Sequence, residues 1–316
     1  MEKKVETYRE WIETALGQVL DAREGKDPLY SPIAHMLSMG GKRLRPVALM
    51  IAAEMFGGNA DKALPGGVGV ELFHNFTLMH DDLMDEAPLR RGKETVHNRY
   101  GRNMAILAGD AMLVKAYQEM GKLEPSKLPK ILEDFDRVAL EVCEGQRADM
   151  EFEERTDVEV DEYLRMIASK TGALLGGALA IGARIGGAGE KDLRRMELLG
   201  RNIGSGFQIQ DDILDLYGDE GKFGKQKGGD IIGRKKTYLL IRAFEKADTT
   251  NRERLMNVFN GSDSEKERIR GVRQVYDELG IEADSRERCD AYFEEGRKAL
   301  EQLSLEEERK SALKGL

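Results

Sequence analysis

Cysteine is scarce: the chain has 316 residues and two cysteines, Cys143 and Cys289. They stand far apart, and neither has a histidine or a second cysteine at metal-ligand spacing. A disulfide framework and a thiolate zinc site are excluded, which leaves two unpaired thiols of a reducing compartment. Proline is scarce too, at seven residues. Runs that alternate β-branched and polar residues are nearly absent, which argues against a sheet-based fold. No long apolar run exists. The most apolar stretch starts at Thr171 and meets Arg184, short of the roughly 20 residues that a membrane span needs. Its glycines and alanines predict a buried helix that another helix approaches closely. The N-terminus, Met1-Glu2-Lys3-Lys4, leads into an amphipathic pattern and not an apolar signal core. No membrane span and a cytoplasmic location are therefore expected. An excess of basic residues is also missing. The net charge is −9, which argues against nucleic acid as the main partner, because a phosphate backbone needs clustered Lys and Arg.

Helical spacing is what the chain has in abundance. Apolar residues recur at three and four positions over 4–23, 29–39, 44–56, 63–85, 99–121, 126–152, 158–187, 189–217, 234–247, 251–260, 264–279 and 281–303. Short Gly, Asp and Asn punctuations separate these segments, with no low-complexity linker and no shift in composition. With 41% hydrophobic and 34% charged residues, the chain can bury a large core beneath a salt-laced surface. The reading is a single all-α domain over 1–316, a bundle of many helices. Two basic islands interrupt the acidic background: Gly40-Gly41-Lys42-Arg43-Leu44-Arg45-Pro46 and Arg90-Arg91-Gly92-Lys93. Compact islands of this kind suit a small anionic ligand.

Two identical patterns carry the strongest signal, Asp81-Asp82-Leu83-Met84-Asp85 and Asp211-Asp212-Ile213-Leu214-Asp215. On a helix, positions i, i+1 and i+4 place two or three carboxylates on one face. Like charges so close repel, and Asp is a poor helix former. Apolar flanks, Phe76-Thr77-Leu78-Met79 and Phe207 with Ile209, distinguish both sets from an ordinary solvated charge run. Such sets are costly unless something positive occupies them. Oxygen-only ligands select hard cations, and Mg²⁺ takes one or two carboxylates, several waters and phosphate oxygens. Two sets can together hold one diphosphate through bridging metals. His74 shares the stripe of Asp81, Asp82 and Asp85, as Gln208 shares that of Asp211, Asp212 and Asp215. Lys42, Arg45, Arg90 and Arg91 can grip diphosphate oxygens directly. Lys225 and Lys235 lie in a Gly- and Lys-rich segment ending at Thr237, which reads as a loop that closes over phosphate.

Taken in order, the Gly40–Pro46 island, His80 to Gly92, Gly145-Gln146, Lys170-Thr171, Phe207 to Asp215 and the lysine segment to Thr237 resemble the trans-isoprenyl diphosphate synthase family, short-chain type. The resemblance runs from about residue 30 to 240. It implies a helical bundle around a deep central cavity, a homodimer, and two or three Mg²⁺ ions per active site. It also implies that Asp81, Asp82, Asp85, Asp211, Asp212 and Asp215 bind those ions on an allylic diphosphate. Arg90, Lys170, Lys225 and Lys235 would contact the same group. Lys42, Arg45, His74 and Arg91 would hold isopentenyl diphosphate without metal, and Thr171 and Gln208 would sit beside the developing carbocation. One departure is Arg234-Lys235, where the family pattern has Gly-Lys.

The reaction implied is head-to-tail condensation of isopentenyl diphosphate with dimethylallyl, geranyl or farnesyl diphosphate. In similar enzymes an aromatic residue at the fifth position before the first aspartate goes with short products. Phe76 stands there, with Thr77 more nearly beneath Asp81 and Phe73 available as a floor. Geranylgeranyl diphosphate is the expected product, farnesyl diphosphate the second choice. A class I terpene cyclase would need no second basic site. A non-catalytic partner subunit would not need both aspartate sets, and a metal-dependent phosphohydrolase would make no carbon–carbon bond.

Overall fold

The computed structural model describes residues 2–20, 27–218, 228–260 and 264–314. Helices dominate it. They are α1 (Glu2–Gly17), α2 (Ser31–Ser38), α3 (Leu44–Met55), α4 (Ala60–Met84), α5 (Val96–Tyr100), α6 (Arg102–Met120), α7 (Leu128–Glu154) and α8 (Val160–Ile167). After a π-helical turn at Ala168–Gly172 come α9 (Ala173–Gly186), α10 (Glu190–Tyr217), α11 (Gly229–Ile232), α12 (Tyr238–Lys246), α13 (Thr249–Asn260), α14 (Glu265–Leu279), α15 (Ile281–Glu301) and α16 (Glu307–Lys314). The one sheet among the described residues is a hairpin of two short strands, β1 (Leu89–Arg90) and β2 (Lys93–Glu94).

Most helical segments expected from periodicity are present. Three differences have local causes. The segment expected over 99–121 is broken at Gly101, whose φ of +86° belongs to no helix. The segment expected over 158–187 holds five residues of π-helix at its centre. The hairpin was not expected. Its turn residues Arg91 and Gly92 both have positive φ, +53° and +75°, the pattern of a tight hairpin turn that matches strand twist.

The chain divides into two compact units interleaved in sequence. The first comprises Met1–Ala139, Leu174–Glu197 and Leu300–Leu316; the second comprises Leu140–Ala173 and Leu198–Ala299. In the first, α4 packs along α3 and α6, and α1 covers α3 and α4. Its core holds Ile12, Ile33, Leu49, Met50, Leu72, Phe73 and Met112, all buried. Gly182 of α9 lets that helix lie directly on α3: a Cβ there would meet the carbonyl oxygen of Leu49 at 2.1 Å. In the second unit, Tyr163, Ile167, Ile209, Ile213, Leu239, Val272 and Tyr276 belong to one buried cluster. There α12 packs on α8 and α14, and α13 packs on α14. Ser264 and Glu267 form a reciprocal cap at the start of α14.

The apolar stretch beginning at Thr171 falls within Val160–Gly186. By length and composition alone that segment could cross a membrane, yet 72% of its apolar window is buried inside the protein. It is a core element, as expected from its small residues.

Candidate active site

In the first unit, the basic island and the first aspartate set are positioned by helix ends. Gly40 and Arg43 adopt positive φ, +74° and +51°, which turns the chain into the start of α3. Pro46 in the first turn is compatible with that start. The Arg43 side chain is buried and bound to Glu71 at 2.6 Å, to Glu13 at 2.8 Å and to the Leu37 carbonyl at 3.2 Å. Asn75 donates to Glu71 at 3.1 Å. This buried network pins the turn that carries Lys42 and the start of α3, where Arg45 lies.

Arg45 lies in the first turn of α3, where backbone N–H groups favour an anion. Its Nη1 donates to His74 Nε2 at 3.2 Å. Its Nε is buried and has no hydrogen-bond partner. Burial pushes the His74 pKa well below 6.5, and the guanidinium groups of Arg45, Arg91, Arg90 and Arg43 push it the same way. His74 is thus a neutral acceptor for Arg45. Arg91 donates to the Gly40 carbonyl and Lys93 to the Ser38 carbonyl, which ties the hairpin to the Gly40–Arg43 turn. Lys42 is exposed. The structure therefore brings Arg45, His74 and Arg91 into one basic neighbourhood, with a buried donor on Arg45 still to be satisfied.

Asp81 and Asp82 lie in the last turn of α4, and Asp85 caps it. The carboxylates therefore oppose the negative end of the helix dipole as well as one another. Arg90 offsets part of this, donating to Asp82 Oδ1 at 2.7 Å and to Asp81 Oδ2 at 3.3 Å. Asp82 is 1% exposed. Desolvation raises its pKa to about 6, against the opposing pull of Arg90. Its Oδ2 is buried without a partner. A buried carboxylate oxygen with no donor fits a cation ligand. Among the described residues, no three carboxylate, imidazole or thiol groups form a ready-made metal cage.

In the second unit, Asp211, Asp212 and Asp215 occupy the last two turns of α10, again at the negative end of a helix. Asp211 is exposed. Asp212 is buried and its pKa is pushed up to about 7, first by desolvation and then by Asp230. It accepts three hydrogen bonds: from Tyr163 Oη at 2.5 Å, Gln208 Nε2 at 3.1 Å and the Tyr238 N–H at 3.3 Å. These take three of its roughly four acceptor directions. Asp215 accepts from the Asp230 N–H at 3.1 Å. Lys170 and Thr171 lie on the π-helical turn. Lys170 Nζ reaches Asp149 at 2.6 Å, and the Thr171 hydroxyl donates to Gln208 Oε1 at 3.2 Å. Gly145 makes room for this turn: a Cβ there would meet the Lys170 nitrogen at 2.3 Å. Lys235 is exposed, and its N–H donates to the Asp230 carbonyl at 2.9 Å. Arg234 has φ +55°, a left-handed position that explains why glycine stands there in the family pattern. Lys225 lies outside the described residues.

Residues 26–279 match the family model described as polyprenyl synthetase. The chain belongs to the polyprenyl synthetase family. A geranylgeranyl diphosphate synthase of Methanosarcina mazei is 37% identical over 92% of this chain and 89% of its own length. A geranylgeranyl pyrophosphate synthase of Geoglobus acetivorans is 41% identical over 86% of this chain and 84% of its own. The crystal structure of a geranylgeranyl pyrophosphate synthetase from Pyrococcus horikoshii Ot3 superposes with a TM-score of 0.91 at 35% identity. It covers 99% of this chain and 96% of that one. The all-α fold is that of the isoprenoid synthases, and the chain is a trans-prenyltransferase.

Several residues of the site had no signal in the sequence. Glu71 and Asn75 are isolated polar residues in an apolar helix, and Asp149 is one acid among many. Tyr163 lies 49 positions before Asp212 and reaches it only through the fold. His80 is conspicuous in sequence, but its place is not. It packs edge-on against Phe76, ring centroids 4.8 Å apart, in the space that Gly109 leaves open. Phe76 also meets Phe73 at 5.6 Å, and Thr77 donates to the His74 carbonyl at 2.8 Å.

Proposed function

We propose that the chain condenses isopentenyl diphosphate with dimethylallyl, geranyl or farnesyl diphosphate, head to tail, to make geranylgeranyl diphosphate, with farnesyl diphosphate the second choice. One prenyltransferase domain spans 1–316 in this reading, which the unbroken helices α7 and α10, each holding residues of both units, support. The observation that carries the reading is a pair of buried polar atoms without partners in the first unit. Asp82 holds a buried oxygen with no donor, and Arg45 a buried donor with no acceptor. The first fits a cation, the second an anion.

Mg²⁺, at two or three ions per active site, would be held by Asp81, Asp82, Asp85, Asp211, Asp215 and the remaining acceptor direction of Asp212, and supplies positive charge to the departing diphosphate. Arg90, Lys170, Lys225 and Lys235 bind that same group. Lys42, Arg45, His74 and Arg91 bind isopentenyl diphosphate, with His74 neutral so that it does not compete with Arg45 for a partner. The allylic C–O bond breaks, and its electron pair leaves with the diphosphate. The double bond of isopentenyl diphosphate then attacks the allylic carbon, and the proton lost from the new chain goes to the released diphosphate. Thr171 and Gln208 present oxygen dipoles to the cation. Apolar walls exclude water, which would otherwise capture it. Phe76, backed by Phe73 and His80, stops the growing chain, with Thr77 beside it.

The protein acts as a homodimer in the cytoplasm. Leu107 and Val114, a heptad apart on α6, are 53% and 58% exposed, with Ile106 and Tyr117 beside them and the exposed Asp110 between, a largely apolar face that suits a second copy. Two unpaired thiols, Cys143 and Cys289, suit a reducing compartment.

Calorimetric titration separates the two substrate sites. Isopentenyl diphosphate should bind with or without Mg²⁺, and a non-reactive thio-analogue of geranyl diphosphate only with it. Metal-dependent binding of isopentenyl diphosphate would count against the division of residues given above.

A further inference from the structure

Tyr163 belongs to no motif, yet it is 3% exposed and gives its hydroxyl proton to Asp212 Oδ2 at 2.5 Å. The Tyr238 N–H reaches the same oxygen at 3.3 Å. Asp212 Oδ1 takes Gln208 Nε2 at 3.1 Å, and Gln208 Oε1 takes the Thr171 hydroxyl at 3.2 Å. Every proton in this row points toward Asp212. The direction follows from the chemistry of the groups and not from how the amide is drawn. With Asp212 ionised, the form in which it would hold a metal ion, a carboxylate that receives two donors on one oxygen offers the other as an acceptor, so Gln208 must turn its NH₂ to it. The amide oxygen then faces Thr171, which must donate. The hydroxyl proton of Thr171 is thereby committed, and its lone pairs face away from Gln208.

We infer that Tyr163 is a positioning residue for allylic ionisation: through Asp212 it fixes the Gln208 amide, and so presents the lone pairs of Thr171, rather than its proton, to the electron-poor carbon. This rests on the prenyl-transfer reading above. The energetic reason is simple. A hydroxyl turned the other way would place the positive end of its dipole on a developing cation. Preset dipoles count most in a site without water, where no solvent can reorganise to correct them. Loss of the Tyr163 hydroxyl leaves Asp212 Oδ2 with one donor. The carboxylate can then rotate, and the Gln208 amide is free to flip.

Tyr163→Phe keeps the ring and its packing and removes one oxygen. Its kcat should fall by about tenfold, the scale of one hydrogen bond lost from a charged group, while KM for isopentenyl diphosphate, which Asp212 does not hold, stays within about twofold. The deciding comparison is with Thr171→Val. If both act through one row, the double variant should turn over no more slowly than T171V alone, whereas independent effects multiply. Tyr163→Met, which also lacks the hydroxyl while staying apolar in the buried cluster, gives the same comparison should Y163F not reach the wild-type melting temperature. Independently of turnover, the side-chain amide signal of Gln208 in a ¹⁵N NMR spectrum should shift in Y163F. A wild-type kcat in Y163F, multiplicative losses, a raised KM for isopentenyl diphosphate or an unmoved Gln208 signal would each overturn the positioning role. Failure of the wild-type chain to incorporate isopentenyl diphosphate would instead overturn the prenyl-transfer reading, and the NMR comparison would still decide the row.

Discussion

Asp81 and Asp211 each stand first in a carboxylate set at the C-terminal end of a helix, where dipole and neighbours disfavour negative charge. A protein bears that cost where a cation is bound. Replacing either residue by Ala should lower kcat by at least about 100-fold while leaving the helical circular dichroism intact. Near-normal turnover in one variant would remove that set from the mechanism. His74 gives a prediction about pH. In the unfolded chain it takes up a proton below about pH 6.5. In the folded protein burial and four nearby arginines hold it neutral well below that value. The unfolded state therefore binds more protons in this window, and stability falls as pH drops through it. In His74→Gln this acid-side loss should shrink, read as a flatter dependence of urea unfolding on pH between about 6.5 and 5. An unchanged slope would contradict the assignment. Candidates such as Asp81 and Arg45 could be named from the sequence, the first because its aspartate pattern occurs twice, the second because it stands in a compact basic island. Tyr163, Glu71 and Asp149 were not, because each gains meaning only from a partner that the fold delivers.

At the scale of elements, α4 holds most of the proposed site on one helix: Glu71 and His74 beneath the basic island, Phe76 and Thr77 further along, and the aspartates at its end. The ring of Phe76 is held between Phe73 and His80. Phe76→Ala should lengthen the product by one or more isoprene units, read by chromatography of the dephosphorylated alcohols. An unchanged length would assign the stop to another residue. Periodicity located most helices within a few residues, since apolar faces at three-and-four spacing are what α3, α4 and α10 bury. It missed the π-helical turn at Ala168–Gly172, because a π-turn keeps helical spacing on either side and is set by tertiary contact, here the close approach of Gly145 to the Lys170 backbone. The β1–β2 hairpin escaped because two-residue strands have no periodicity to read. α16 escaped because its eight residues carry little apolar pattern.

For the whole molecule, the acidic balance argues against nucleic acid as the main partner and the residue pattern against a sheet-based fold, and the helices bear out the second. Composition could not show where the chain exposes apolar surface. That surface includes one face of α6, with Leu107 and Val114 most open. Val114→Asp should convert a homodimer to a monomer in sedimentation velocity, since a charge is costly in an apolar interface. A variant that stays dimeric would move the interface elsewhere. The most direct test of the account is chemical. The purified chain is incubated with Mg²⁺, labelled isopentenyl diphosphate and, separately, dimethylallyl, geranyl or farnesyl diphosphate, and the products are sized. The account predicts label in a ladder that ends at geranylgeranyl length with every starter. Label that stays in isopentenyl diphosphate with all three, from a folded protein, would contradict it.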